Sequence, residues 1–291
     1  MAYSLPNKQT TTMNKTIILT GASSGIGKAA AKKFAAEGWN VIATMRNPQQ
    51  EQELTQLPNV LVTKLDVQDP ASIDSAIQAG IGRFGQIDAV VNNAGYGQNG
   101  VFEAITPEQI QQQFDVNVFG VMNVIRALLP HFRQQKSGLI LNISSGAGRF
   151  TLPLISLYAA SKFALEGFSE ALSFELSTLN IIVKIIEPGG TETNFSKVTR
   201  EQFAHDPSLA DYTPFTEAAG KMFAGMVAAR LVTADDVAET IYMAATDGTD
   251  TLRYAVGNAD FQKRLTARAE LPDQAYINVI REGFTRFMPQ I

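Results

Sequence analysis

Thr20-Gly21-Ala22-Ser23-Ser24-Gly25-Ile26-Gly27 follows the apolar run Ile17-Ile18-Leu19 and opens a helical stretch from Gly25 to Glu37, with Gly38 as its stop signal. Three glycines at a strand-to-helix turn let backbone N–H groups approach a phosphate, and the positive end of the helix favours its charge. Three chemistries use such a turn. A P-loop needs Gly at 22 and Ser or Thr at 29 around Gly27-Lys28; both positions are Ala, which excludes it. A nucleophile elbow fits Gly21-x-Ser23-x-Gly25 and makes Ser23 a hydrolase nucleophile. It then requires an acid and a histidine further on, and the chain offers only His131 and His205. The third is a dinucleotide site, spaced G-x-x-x-G-x-G, with Gly21, Ser23, Ser24, Gly25, Ile26 and Gly27 around the phosphates.

Outward from this turn the chain alternates. Apolar runs recur at Val41–Ala43, Val60–Val62, Ala89–Val91, Leu139–Leu141 and Ile181–Ile186, with a weaker one at Leu252–Val256. With Ile17–Leu19 they make seven strands, and the first six are non-alternating, as strands buried on both faces should be. Helical stretches over about 70–84, 107–135, 156–178 and 233–247 separate most of them. This pattern predicts an α/β fold, a single-domain doubly wound sheet, mostly parallel, with helices on both faces. Residues 1–14 read as a flexible tail, 15–291 as the domain, and the irregular stretch of about 191–232 as a substrate lid.

Composition closes off other classes. Of 291 residues, 45% are apolar, enough for a large core, and the formal net charge of −4 gives no reason to expect nucleic acid or an anionic membrane. The absence of cysteine excludes disulfides, zinc–thiolate and iron–sulfur sites, and two histidines make a metal site unexpected. No apolar run reaches the about 18 residues of a membrane span, and residues 1–15 lack the apolar region of a secretory signal. A cytoplasmic protein is expected, in which the sequons at Asn14, Asn142 and Asn194 carry no meaning.

The end of the second strand reads Ala43-Thr44-Met45-Arg46-Asn47. An acid there would bind the 2′-hydroxyl of NAD; Arg46 instead suits the 2′-phosphate of NADP, so NADP(H) is favoured over NAD(H). Asp66, with Val67 beside it, ends the third strand where it could accept a bond from the adenine amino group, or serve as an ordinary cap.

The strongest chemistry lies between 145 and 162. Tyr158 and Lys162 are four residues apart in a helical stretch and so share a face. A phenol with a pKa near about 10 gives up its proton reluctantly, and a nearby ammonium lowers that value. Tyr158 could then exchange a proton with a carbonyl or alcohol oxygen, and Ser145, at the end of the fifth strand, could hydrogen-bond the same oxygen.

Together, Thr20-Gly21-x3-Gly25-x-Gly27, Asn92-Asn93-Ala94-Gly95, Asn117, Ser145, Tyr158-x3-Lys162 and Pro188-Gly189 resemble the short-chain dehydrogenases/reductases in order and spacing, over about 15–260. The run Tyr158-Ala-Ala-Ser-Lys-Phe-Ala-Leu-Glu-Gly is similar to the branch of 17β-hydroxysteroid and retinol dehydrogenases. The resemblance implies a Rossmann-like oxidoreductase that interconverts a carbonyl and an alcohol by hydride transfer. Tyr158 would be its general acid/base, and Lys162 would lower the Tyr158 pKa and bind the nicotinamide ribose. Ser145 would polarise the carbonyl, and Asn117 would support a water-borne proton relay. It further implies that Asn93, Ala94 and Gly95 floor the adenosine side, that Pro188, Gly189 and Thr191 hold the nicotinamide end, and that Thr193 lies near the pyrophosphate. It implies a homodimer or homotetramer paired through the two long helices. A cofactor-sensing regulator without turnover is the alternative, and loss of Tyr158 or Lys162 would have supported it; both are present.

Phe195, Phe203, Phe215, Met222, Phe223 and Met226, with Phe150 and Leu154, suit a bulky apolar ketone or alcohol. Met222, Phe223 and Met226 also have the spacing of one helix face packed on the core. For the tail beyond about 260 the resemblance gives little guidance.

Overall fold

Ile17, Ile18 and Leu19 are wholly buried although consecutive, because strand β1 (Thr16–Leu19) is covered on both faces and successive side chains point to opposite ones. The structure, a computed structural model, describes residues 14–288 except 194, 196–198, 200 and 229–230. Of the expected tail only Asn14 is described, and the sequon at Asn194 lies outside the described residues.

All seven predicted strands form. β2 (Asn40–Met45), β3 (Val60–Lys64), β4 (Ala89–Asn92), β5 (Gly138–Ile143), β6 (Ile181–Pro188) and β9 (Arg253–Val256) join β1 in one parallel sheet of order β3-β2-β1-β4-β5-β6-β9. The order reverses between β1 and β4, the point at which a doubly wound sheet opens a crevice beyond its strand ends. Two short strands, β7 (Thr191–Glu192) and β8 (Val232–Thr233), pair separately.

Helices cover both faces. On one, α1 (Gly25–Ala36) packs with α7 (Ala234–Thr246) over Ile17, Leu19, Val41 and Val91. On the other, α2 (Pro70–Phe84), α4 (Gly120–Gln135) and α5 (Ser156–Ser177) cover Ile18, Ile42, Val90 and Ile140. Each such aliphatic side chain contributes about 2 kcal/mol, so a charge at Ile18 would cost far more than any surface change. Among the described residues Asn142 is fully buried and bonded to Ser169, so its sequon is inaccessible.

The stretch 107–135 is not one helix. α3 (Pro107–Phe114), started by a Thr106–Gln109 capping box, runs into a π turn over Asp115–Phe119 before α4 begins. The side chain of Asn117 is committed to the Tyr96 backbone, accepting from its N–H at 3.1 Å and donating to its carbonyl at 2.9 Å. A wider turn brings that side chain out to its partner, at the expense of regular i→i−4 bonds.

The segment after β7 holds α6 (Thr213–Ala228), and the tail beyond about 260 is built from α8 (Ala259–Glu270) and α9 (Asp273–Thr285). Met222, Phe223 and Met226 do not share a role. Met222 is buried and lies near Gly283 of α9, whereas Phe223 and Met226 line the cleft described next.

Candidate active site

The C-terminal ends of β1 to β6 open into one cleft of about 1130 Å³. At its floor Gly21 has φ +68 and Gly25 φ +53, conformations costly for any residue with a Cβ. Gly27 lies beneath; a Cβ there would meet the Gly21 carbonyl oxygen at 2.3 Å, so helix and turn could not close with any other residue. Thr20 Oγ1 accepts from the N–H groups of Asn93 and Ala94, each at 3.0 Å, while Asn93 Nδ2 donates to the carbonyls of Thr20 and Gly21. Thus the Asn93–Gly95 segment props the glycine turn.

Ser24 is the N-cap residue of α1, yet its side chain makes no capping bond. Helices α2, α3, α7 and α8 are each capped by a side chain. The first N–H groups of α1 thus face the cleft with no side-chain partner, a ready anion site. Ser23, Ser24, Gly25 and Ile26 line the cleft there, and Thr193 leans over Gly25 from the opposite wall.

Arg46, Asp66 and Val67 line the outer end. Arg46 is exposed and has no ion-pair partner among the described residues. Asp66 faces the cleft and closes a loop turn, its Oδ1 accepting from the Gln68 N–H at 3.0 Å, while the N-cap of α2 is Asp69.

Ser145, Tyr158 and Lys162 meet at the other end, with Pro188, Gly189 and Thr191. Ser145 follows β5, and its Oγ accepts from the Ala147 N–H at 3.1 Å while sharing a hydrogen bond with the Tyr158 hydroxyl. Lys162 Nζ lies 5.8 Å from the Tyr158 ring centroid and donates to the Ile143 carbonyl at 2.8 Å. Desolvation pushes the Tyr158 phenol up to about 12, against a lowering by Ser145, and pulls the Lys162 ammonium down to about 8, against the favourable field of Glu166. The expected lowering of the phenol by Lys162 is therefore absent in the open cleft: the ammonium points at a main-chain carbonyl, and loss of water dominates both groups. The Phe195 ring stands 5.6 Å from that of Tyr158.

Every residue expected at the cofactor lines the cleft except Gly27, and every expected catalytic residue except Asn117. Asn117 is buried behind the wall, where its Nδ2 also contacts Ser161 Oγ at 3.2 Å, the residue before Lys162. The hydrolase reading loses its base. His131 Nε2 accepts from the Ile87 N–H ahead of β4, at the N-terminal ends of the strands and so the far end of the sheet from Ser23, and His205 is exposed and not part of the cleft wall.

Sequence reasoning missed Phe261 of α8. Its ring fills the space over Gly146, Gly189 and Gly257, where a Cβ would approach it to 2.3, 2.9 and 2.2 Å. It also missed the pair Gln98 and Gln113: Gln113 Nε2 donates to the Tyr96 carbonyl, and Gln98 Nε2 to that of Gln202 at 2.8 Å, tying the cleft wall to the segment after β7. Three glycines following three strands were the one available signal for Phe261.

A family model described as short chain dehydrogenase matches residues 15–204. An uncharacterized oxidoreductase of Schizosaccharomyces pombe is 42% identical over 74% of this chain and 89% of its own. The uncharacterized oxidoreductase YusZ of Bacillus subtilis is 36% identical over 93% and 99%. A short-chain dehydrogenase from Streptomyces avermitilis superposes with a TM-score of 0.74 at 31% identity, covering 94% of this chain and 96% of that one. Two further solved structures carry nucleotides. A 3-ketoacyl-(acyl-carrier-protein) reductase from Brucella melitensis is complexed with NADH (TM-score 0.68, 27% identity, 83% and 96% covered), and a serine dehydrogenase with NADP+ (0.71, 26%, 84% and 95%).

Proposed function

Because the chain belongs to the short-chain dehydrogenase/reductase family, we propose that it interconverts a carbonyl and an alcohol with NADP(H), using Tyr158 as general acid in reduction and general base in oxidation. The observation that carries this reading is one cleft with a glycine cradle at one end and Ser145, Tyr158 and Lys162 at the other.

The residues present fit a dinucleotide. Gly21 and Gly25, with the free N–H groups of α1, form a phosphate cradle, and Gly27 beneath it lets the helix close on the turn. Asp66, Val67, Asn93, Ala94 and Gly95 suit the adenosine side, and Pro188, Gly189, Thr191 and Thr193 the other half. The bound nicotinamide supplies the hydride for reduction or accepts it in oxidation. Relatives in fold hold NADH and NADP+ alike, so the preference for NADP(H) rests on Arg46, an unpaired guanidinium at the end of β2 with no acid beside it.

With a pKa near about 12 the Tyr158 phenol keeps its proton at neutral pH, ready for an oxygen that gains charge. Ser145 donates to the same oxygen and holds the carbonyl against Tyr158. Lys162 holds the nicotinamide ribose and places positive charge beside the phenolate left after transfer, and Asn117 supports a water-borne route that returns the proton. Phe150, Leu152, Phe195, Phe223 and Met226 give the substrate end an apolar lining, suited to a hydrophobic ketone, aldehyde or alcohol beneath a lid formed by about 191–232. The partner of the chain is a second copy: Phe163 and Phe174 stand exposed on α5, an apolar face for a homodimer or homotetramer. Among the described residues no helix is long and apolar enough to cross a membrane; the working location is the cytoplasm.

The test is consumption of NADPH and NADH against carbonyls from small aliphatics to steroids and retinal. Turnover of an apolar carbonyl with NADPH preferred is expected. Cofactor binding without turnover of any carbonyl would leave a sensor instead, and no binding would remove the reading altogether.

A further inference from the structure

Two arginines line the cleft with no ion-pair partner among the described residues, Arg46 and Arg264. Arg149, Arg253 and Arg268 each hold a carboxylate at 3.0 Å or closer. Arg264 belongs to α8, which follows β9, whereas Arg46 follows β2. Five strand spacings separate those strands in the sheet, about 24 Å. The phosphate cradle follows β1, four spacings from β9, about 19 Å. Arg264 is thus at neither phosphate position of the proposed cofactor. It stands at the substrate end.

Its setting calls for an anion. The side chain is half-buried, one turn after Phe261, whose ring clusters with Phe150 and Tyr276, and its charge acts on the Tyr276 phenol. A guanidinium cannot shed its proton, so removing part of its water without a partner leaves a charge to be met by something else. Asp260 lines the cleft one turn earlier but faces Lys263 at 3.9 Å, and Glu201 has interactions of its own. Phe150, Leu152, Phe223 and Met226 line the same end, so the complement is an apolar body with an acidic end.

We propose that Arg264 anchors a carboxylate on the substrate, which is then an oxo or hydroxy acid of medium or long chain. The inference rests on the carbonyl–alcohol reading for the reacting group only. Ser145 adjoins Gly146, under the Phe261 ring, and Arg264 lies one turn of α8 beyond Phe261, so the carboxylate is set several carbons from the reacting carbon. A planar guanidinium meets a carboxylate through two parallel hydrogen bonds, which a lysine cannot reproduce.

The test uses 9-oxodecanoic acid and its methyl ester on the full chain, with binding read by calorimetry with and without NADPH, and turnover by NADPH consumption. The acid should bind about tenfold or more tightly than the ester, as a charge-assisted bond implies. Arg264→Met should bring acid and ester within about twofold by weakening the acid alone, and Arg264→Lys should keep part of the difference. Equal binding of acid and ester by the natural chain, or equal weakening of both in Arg264→Met, would overturn the assignment. Tight, Arg264-dependent binding of the acid without turnover of any carbonyl would sustain Arg264 and sink the carbonyl–alcohol reading. Turnover of ester and acid with equal kcat/KM would do the opposite.

Discussion

Two lysines are buried near the carboxyl half of the sheet, and their surroundings differ in kind. Lys184, in β6, directs its ammonium at three acceptors: the Ala244 carbonyl at 2.7 Å, Asp247 Oδ1 at 2.6 Å and the Tyr254 hydroxyl at 3.1 Å. Its three protons are all used. Against desolvation, the bonds from Lys184 and Tyr254 hold the Asp247 carboxyl well below the usual carboxylate range. Lys162, in α5, is 7% exposed and has one acceptor, the Ile143 carbonyl. Its fall from 10.5 to about 8 corresponds to about 3 kcal/mol held against the folded state while the group is charged. One ammonium fastens α7 to the sheet edge; the other is kept under-satisfied where a ligand's hydroxyls can complete it. Burial alone does not mark a functional lysine, and the number of acceptors around it does.

Four substitutions test that contrast. Tyr158→Phe should lower kcat about 10³-fold while leaving NADPH affinity unchanged by calorimetry, since the ring stays and only the proton donor leaves. Residual kcat above a tenth would remove Tyr158, and with it the chemical purpose of Lys162. Lys184→Met should cost about 3 kcal/mol in urea unfolding, because Asp247 loses its partner, with kcat within about twofold of the natural chain. A large loss of kcat at unchanged stability would invert the comparison. Lys162→Met should do the reverse at pH 7: activity lost, and stability raised by about 2 kcal/mol after the Ile143 carbonyl loses its donor. The pH sign is specific. The unfolded chain binds more protons than the folded one between about 8 and 10.5, so the stability of the natural chain climbs toward that of Lys162→Met across this window. A gap constant from pH 7 to 10 would mean that Lys162 is not desolvated. Smallest, Arg46→Asp should move the ratio of kcat/KM for NADPH over NADH about tenfold toward NADH, one charge-assisted contact.

Legibility followed the range of the forces involved. Five of the strands show in sequence because each is a short apolar run largely buried on both faces, the edge strands β3 and β9 as apolar runs only partly covered, and Gly21, Gly25 and Gly27 because their backbone needs are local. Tyr158 and Lys162 show because four residues on a helix fix their relation. The π turn does not: 107–135 has an unbroken helical pattern, and what interrupts it is the bond from Asn117 to Tyr96, 21 residues away. Phe261 and Arg264 stayed hidden because α8 is otherwise polar, with Phe261 alone buried, and nothing near them in sequence announces three glycines from the far ends of β5, β6 and β9. The sign of the Tyr158 shift was also out of reach, since it depends on how far water is excluded and not on spacing.

The π turn over Asp115–Phe119 means that this stretch spends one residue more than a regular helix needs to cover the same length. The surplus is a stored offset. Deleting a single residue there would let α3 and α4 fuse into an unbroken rod, healing the hydrogen-bond ladder while rotating Asn117 about 100° away from Tyr96. At this one place a shortening of the chain would tidy the fold and spoil the site.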